Sequence, residues 1–173
     1  MENLLLVAGT GRNSGKTTMA CRVIRQFRNL GITAVKISPH FHEPSKGLNL
    51  ISENKEYYIY EETCQGTSKD TSRMLKCGAE RVFLAQTAEA YLPEAFSEIL
   101  KNIPENRPVV CESPALIRFV EPGVFIIMIA DNELNNKNTG EMQLVGHSEY
   151  TLKKLSETDV LPFRFHNGVW KYK

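Results

Sequence analysis

Short apolar runs alternate along the chain with segments whose apolar residues recur at helical spacing. The runs predict strands, buried on both faces where they are continuously apolar, at residues 4–8, 33–38, 48–52, 56–63, 81–85, 108–112 and 123–130. The helical spacing predicts helices over residues 16–30, 69–77, 88–103 and 148–157. Alternating strands and helices favour an α/β fold, a mostly parallel sheet with helices on both faces.

The C-terminal part has a different pattern. Residues 132–138 are rich in Asn and predict a loop, and residues 163–172 flank Asn167 and Gly168, the dipeptide that best suits a tight hairpin turn. The hairpin predicts either an edge of the sheet or a dimer contact through Trp170 and Tyr172. Residues from about 132 to 173 are therefore a candidate C-terminal β-hairpin appendage.

Composition narrows the class of protein. The chain has 173 residues, 42% of them hydrophobic, with 21 Lys and Arg against 20 Asp and Glu. This length favours a single domain over residues 1–173. The near-neutral balance argues against a dedicated nucleic-acid binder, which usually carries a strong excess of basic residues.

Neither membrane insertion nor disulfide bonding is indicated. The longest apolar run, within residues 124–130, is far shorter than the roughly 20 residues that span a bilayer as a helix, and no secretory leader pattern opens the chain. We therefore expect a cytoplasmic protein with no membrane partner. The cysteines form no CxxC pair, which favours small buried residues over disulfides or metal ligands, at positions Cys21, Cys64, Cys77 and Cys111.

A glycine-rich loop between the first strand and the first helix is the main candidate for chemistry. A polyphosphate needs close backbone N–H groups, a helix N-terminus, a lysine and a hydroxyl for Mg²⁺. This segment supplies all four, and its predicted nucleotide-binding residues are Gly11, Arg12, Asn13, Ser14, Gly15, Lys16, Thr17 and Thr18. The pattern GxxxxGK[ST] departs at one position, because Thr10 stands where the first glycine belongs.

A carboxylate at the end of a parallel strand would complete a magnesium site. Mg²⁺ prefers oxygen ligands, and sites of this kind lie at the carboxyl ends of the strands. Thr17 is the first predicted ligand, Glu112 the second, and Asp131 the next candidate. Lys16 and Glu112 are the predicted catalytic residues.

Several segments resemble the nucleotide-binding protein B family of molybdopterin-guanine dinucleotide biosynthesis (MobB), in the SIMIBI class of P-loop proteins. The similar segments are residues 13–18, residues 35–37 with His40, His42 and Glu43, residues 69–73 through 77–79, and residues 110–112. The resemblance implies a homodimer that binds GTP with Mg²⁺ and assists guanylation of the molybdenum cofactor, with the pterin cofactor and its guanylyltransferase as partners. Hydrolysis should be slow or absent, because no catalytic glutamine or arginine finger is evident.

A second ligand would lie near the outer phosphates. His40 and His42 would share a face if they continued the second strand, and with Glu43 they could bind a metal or contact an anion or a pterin. Asp70 and Arg73 are the other candidate contacts, although an N-cap and a surface charge would explain them equally well.

Two other functions stay open. Gly9 and Thr10 also match the GTxxxxGKT loop of dethiobiotin synthetase, which indicates an ATP-dependent ligase, and a nucleotide-responsive adaptor without catalysis is the third alternative. Residues 136–139 lack the aspartate of the guanine-selecting NKxD motif, and Ser113 replaces the glycine that usually follows the strand-end glutamate. GTP is therefore implied by the resemblance alone.

Overall fold

The computed structural model describes residues 1–130 and 148–173, in which strands and helices alternate. The strands are β1 (Leu4–Gly9), β2 (Thr33–Ser38), β3 (Leu48–Glu53), β4 (Tyr57–Glu62), β5 (Arg81–Thr87), β6 (Val109–Glu112), β7 (Val124–Met128), β8 (Ser148–Tyr150), β9 (Phe163–His166) and β10 (Val169–Tyr172). The helices are α1 (Lys16–Gln26), α2 (Asp70–Lys76), α3 (Leu92–Leu100) and α4 (Leu152–Ser156). Asp131 and the Asn-rich segment 132–138, with residues 136–139, lie outside the described residues.

Within the described residues one sheet has eight strands in the order β3-β4-β5-β2-β6-β1-β7-β8. In this order, the neighbouring strands from β5 through to β8 pair in parallel. The hairpin of β3 and β4 lies at one edge, and its strands pair antiparallel with each other and with β5. The predicted α/β class and the mostly parallel sheet are confirmed.

Apolar side chains pack on both faces of the sheet. Alternate residues of a strand point to opposite faces, so Leu5 and Val7 of β1 join one core with α1, whereas Leu4 and Leu6 join a second core with α3. Both cores consist of buried and mostly aliphatic or aromatic residues. Helices therefore cover the two faces, an arrangement compatible with three layers.

The C-terminal hairpin is part of one of these cores. Its turn has the predicted geometry, with φ of 50° at Asn167 and 77° at Gly168. Among the described strands, β9 and β10 pair with each other and not with an edge of the main sheet. The indole of Trp170 is fully buried 5.1 Å from the ring of Phe27, and the hydroxyl of Tyr172 donates to the carbonyl of Phe125 at 2.6 Å. The expectation that the hairpin forms an edge of the main sheet is therefore wrong, and the side chain of Trp170 is buried within the chain against the residues of α1.

Two of the predicted helices are shorter in the structure, and strand pairing with local capping explains one of them. The helix expected over 148–157 is a strand followed by a short helix, because residues 148–150 pair in parallel with β7 and the side chain of Thr151 then caps α4, accepting from the N–H of Lys154 at 3.1 Å. The helix expected over 88–103 is reduced to α3 after a 3-10 turn at Glu89–Tyr91. Pro93 lies in the first turn of α3, where proline is tolerated.

Two further observations bear on the expectations from composition. None of the described helices is long and apolar enough to cross a bilayer. The cysteines are free thiols, three of them buried and Cys64 half-exposed. Burial raises the pKa of Cys21 to about 12 and that of Cys111 above its usual range.

Candidate functional site

The carboxyl ends of β1, β2 and β6 meet at one edge of the sheet. The three strands are parallel neighbours, and Glu112, the last residue of β6, lies opposite Val7 of β1 and Lys36 of β2. Parallel sheets characteristically bind ligands at this edge. The loop after β1 and the N-terminus of α1 lie there, so the fold gathers the predicted site residues at one place.

The loop between β1 and α1 requires glycine at its last position. Gly15 is the N-cap of α1 and has φ of 95°, a left-handed conformation in which a Cβ atom would also lie 2.5 Å from Cδ2 of Leu152. Asn13 also has positive φ, 62°, a conformation that asparagine tolerates better than most residues. None of the side chains in residues 1–130 and 148–173 caps the α1 N-terminus, so its first N–H groups are open to a ligand as far as these residues are concerned.

Thr10, the departure from the glycine pattern, joins the loop to the sheet. Its N–H donates to the carbonyl of Met128 at 3.0 Å, and its Oγ1 accepts from the N–H of Ala130 at 3.1 Å. A glycine could make only the first of these bonds. The hydroxyl of Thr10 thus anchors the loop to the chain after β7.

Lys16 is folded back onto its own loop. Its ammonium donates to the carbonyl of Gly11 at 2.6 Å and to the hydroxyl of Ser14 at 3.2 Å. Burial lowers the pKa of Lys16, which the carboxylates of Glu112 and Asp70 only partly oppose. An anion in the loop would offer this ammonium a charged partner in place of two neutral ones.

Glu112 is the buried centre of the site. Its side chain is 2% exposed; Oε2 accepts from the hydroxyl of Thr17 at 2.8 Å, and Oε1 accepts from the ammonium of Lys36. Lys36 and Glu112 lie opposite each other on neighbouring strands, so their side chains emerge on the same face, the face that α1 covers.

A second carboxylate shares the same lysine. Asp70, the first residue of α2, lies 3.2 Å from the ammonium of Lys36 and 3.3 Å from Nη1 of Arg73. Burial would by itself raise the pKa of Asp70, but the charge of Lys36, hydrogen bonds from Lys36 and Thr17, and the charge of Arg73 together outweigh it and the pKa is lowered. Burial would likewise lower the pKa of Lys36, and the carboxylates of Glu112 and Asp70 raise it instead. The ion pair between Lys36 and Asp70 therefore favours the charged form of both groups.

These groups line a cleft of about 650 Å³. Among the described lining residues, two are carboxylates and five carry a lysine or arginine side chain, namely Arg12, Lys16, Lys36, Lys69 and Arg73. The excess of positive charge favours an anionic ligand. A smaller cavity of about 180 Å³ adjoins the cleft and shares Lys36 and Asp70 with it.

Most of the predicted site residues line this cleft. Residues 12–18, His40, His42, Asp70, Arg73 and Glu112 do so, and Gly11 contributes its carbonyl to Lys16. The two histidines do not continue β2, however, because that strand ends at Ser38 and both lie in an irregular, exposed segment. Their rings are 6.1 Å apart, and the amide of Gln86 holds the backbone of His42 through bonds of 3.0 and 3.2 Å.

Sequence reasoning missed Lys36 and Lys69 as site residues. Lys36 had a recognisable signal, since it is a charged residue inside an otherwise buried strand close to its carboxyl end. Lys69 opens the segment 69–73 that resembles the family, but only the packing of α2 brings it to the cleft. No local pattern indicates Leu152 as a site residue either, because it contacts the loop at Gly15 from 137 positions further along the chain.

Oxygen atoms in the cleft suit Mg²⁺. In the described part of the chain no cluster of three or more His, Cys, Asp and Glu side chains could hold a metal ion. The hydroxyl of Thr17 and the carboxylate of Glu112 nevertheless lie side by side, and Mg²⁺ commonly takes only one or two protein oxygens beside phosphates and water. These two residues therefore fit Mg²⁺ that arrives with a phosphate ligand.

No protein-family model matches the chain, and neither the curated proteins nor the solved structures searched include a match to it.

Proposed function

We propose that this chain is a P-loop protein that binds a purine nucleoside triphosphate with Mg²⁺ in the cleft. One observation carries the proposal: the loop after β1 ends in the left-handed Gly15 at an uncapped helix N-terminus, with Lys16 beside it and the hydroxyl of Thr17 on a buried carboxylate. Backbone N–H groups, a helix N-terminus, an ammonium and a hydroxyl are what a triphosphate requires.

The charges of the cleft support a polyphosphate over a monovalent anion. The N–H groups of residues 12–18 would bind the inner phosphates, and Lys16 would exchange the carbonyl of Gly11 for an outer phosphate oxygen. Thr17 and Glu112 would hold Mg²⁺, which offsets negative charge on the phosphates when bound. Arg12 and Arg73 add positive charge at the mouth of the cleft.

The particular function rests on the resemblance to the MobB family. It extends the proposal to GTP, to a homodimer, and to a role in guanylation of the molybdenum cofactor with slow or no hydrolysis. His40, His42, Asp70 and Arg73 would then face the second ligand, since they line the cleft beyond the loop. Lys16 and Glu112 are the proposed catalytic residues for any turnover, because one neutralises phosphate charge and the other holds the metal.

Isothermal titration calorimetry with GTP and with ATP, each with Mg²⁺, tests the proposal. We expect heat from the wild-type protein and a loss of affinity of about ten- to a hundredfold in Lys16→Ala, the range expected for a charge-assisted hydrogen bond. Lys55→Ala, which changes an exposed lysine of the β3–β4 turn away from the cleft, is the matched control and should bind normally.

The outcomes separate the alternatives. No heat with either triphosphate, or equal affinity in Lys16→Ala, would refute nucleotide binding in the loop. A strong preference for ATP would favour the ligase resembling dethiobiotin synthetase. Tight binding without turnover, together with a partner captured only in the loaded state, would favour the adaptor. Sedimentation of the purified protein tests the homodimer.

A further inference from the structure

Lys36 competes with a metal ion for the same carboxylate. Its ammonium contacts Oε1 of Glu112, whose other oxygen accepts from the hydroxyl of Thr17. Glu112 is buried at 2% exposure, and Lys36 is itself only 20% exposed. Two cations close together on one buried carboxylate repel each other strongly, because little water screens them.

We propose that Lys36 is a resident counter-ion of the magnesium site, which keeps divalent cations off Glu112 until the nucleotide arrives. The inference rests on the proposed function for the identity of the metal and of the nucleotide. Lys36 is a positioning residue in this proposal, since it acts through Glu112 rather than on the phosphates.

The neighbouring carboxylate lets Lys36 leave Glu112 without losing its charge partner. Asp70 lies 3.2 Å from the same ammonium and is held in turn by Arg73 at 3.3 Å. A small movement of the Lys36 ammonium would therefore break its contact with Glu112 and leave it paired with Asp70 alone. The stem of Lys36 is fixed in β2, so the ammonium stays in the cleft.

Charge balance explains why metal and nucleotide would bind together. A divalent cation added alone has to displace an ammonium from a cleft that already carries excess positive charge. A triphosphate supplies negative charge that compensates both the displaced ammonium and the metal. Each ligand then increases the affinity for the other by the same factor, as thermodynamic linkage requires.

Binding of Mn²⁺ alone, measured by electron paramagnetic resonance of the free ion, tests this without nucleotide. We expect Lys36→Met to bind Mn²⁺ at least about tenfold more tightly than the wild type, because the two carboxylates lose their cation. Lys36→Arg is the matched control, since it keeps the charge, and should bind as weakly as the wild type. The double variant Lys36→Met with Glu112→Gln should lose the gain.

Two results would overturn the inference. Unchanged Mn²⁺ affinity in a folded Lys36→Met protein, or a gain that survives Glu112→Gln, would refute it. Lys36→Gln, a neutral side chain that still donates a hydrogen bond to Glu112, replaces Lys36→Met if that protein does not fold, and the same outcomes apply.

Failure of the proposed function gives a different pattern. A wild-type protein that binds neither GTP nor ATP, while Lys36→Met gains Mn²⁺ affinity, would refute nucleotide binding and leave the counter-ion role intact. Nucleotide binding by the wild type with no change of Mn²⁺ affinity in the variants would refute the counter-ion role alone.

Discussion

The pair formed by Lys36 and Glu112 should contribute strongly to folding, and a double-mutant cycle can measure it. The pair joins β2 to β6 near the centre of the sheet, and Glu112 is almost fully buried. The cycle compares the wild type with Lys36→Met, Glu112→Gln and the variant that carries both changes. Either single change leaves a charge in the cleft without this partner.

The expected magnitude follows from burial and from the remaining partners. Opposite charges about 4 Å apart attract by about 4 kcal/mol at the effective dielectric constant of a partly buried site. Lys36 keeps Asp70 at 3.2 Å in Glu112→Gln, and that remaining pair reduces the loss. We therefore expect a coupling free energy of about 2–3 kcal/mol and a double variant less destabilised than the sum of its parts.

Urea denaturation followed by the fluorescence of Trp170 supplies the four unfolding free energies. Trp170 is fully buried, so its emission should shift when the core opens. Lys101→Met is the control, because Lys101 is an exposed residue of an exposed ion pair and should change stability by well under 1 kcal/mol. A coupling free energy below about 0.5 kcal/mol would refute the argument, since that is the value of an ordinary exposed pair.

Three further predictions use other parts of the site and core. Gly15→Ala should destabilise the fold by about 1–2 kcal/mol in urea denaturation, because alanine resists the left-handed conformation, and a neutral result would contradict the loop geometry. Asp70 has a lowered pKa, so its contribution to stability is complete above about pH 4 and is lost below it; the stability advantage of the wild type over Asp70→Asn should therefore shrink as the pH falls from about 6 to 2. Native protein should react with a thiol reagent first at the half-exposed Cys64, and early labelling of Cys21 or Cys111 would contradict their burial.

Much of the fold could be read from local patterns. Continuous apolar runs and helical spacing are short-range properties, and the structure confirms the mostly parallel sheet and the tight turn at Asn167 and Gly168. The errors lie where distant pairing overrides local preference. Residues 148–150 form a strand because β7 offers them hydrogen-bond partners, which no local pattern encodes.

The candidate loop was visible in the sequence for the same reason. Residues 9–18 are contiguous, and their glycines, lysine and hydroxyls are arranged by the strand before them and the helix after them. Nothing in the sequence of the loop explains why Thr10 stands in place of glycine. The bond from Ala130 to its hydroxyl supplies the reason, and that bond joins residues 120 positions apart.

The sequence by itself determined the alternation of strands and helices, the loop with Lys16 and Thr17, and the candidacy of Glu112 at the end of a buried strand. Only the tertiary structure decided that Lys36 meets Glu112, that Asp70 shares this lysine, and that the C-terminal hairpin packs in the same core as α1. The physical reason is that strand register and helix packing bring together residues far apart in the chain. A charged side chain meets its oppositely charged partner only when that packing removes it from water.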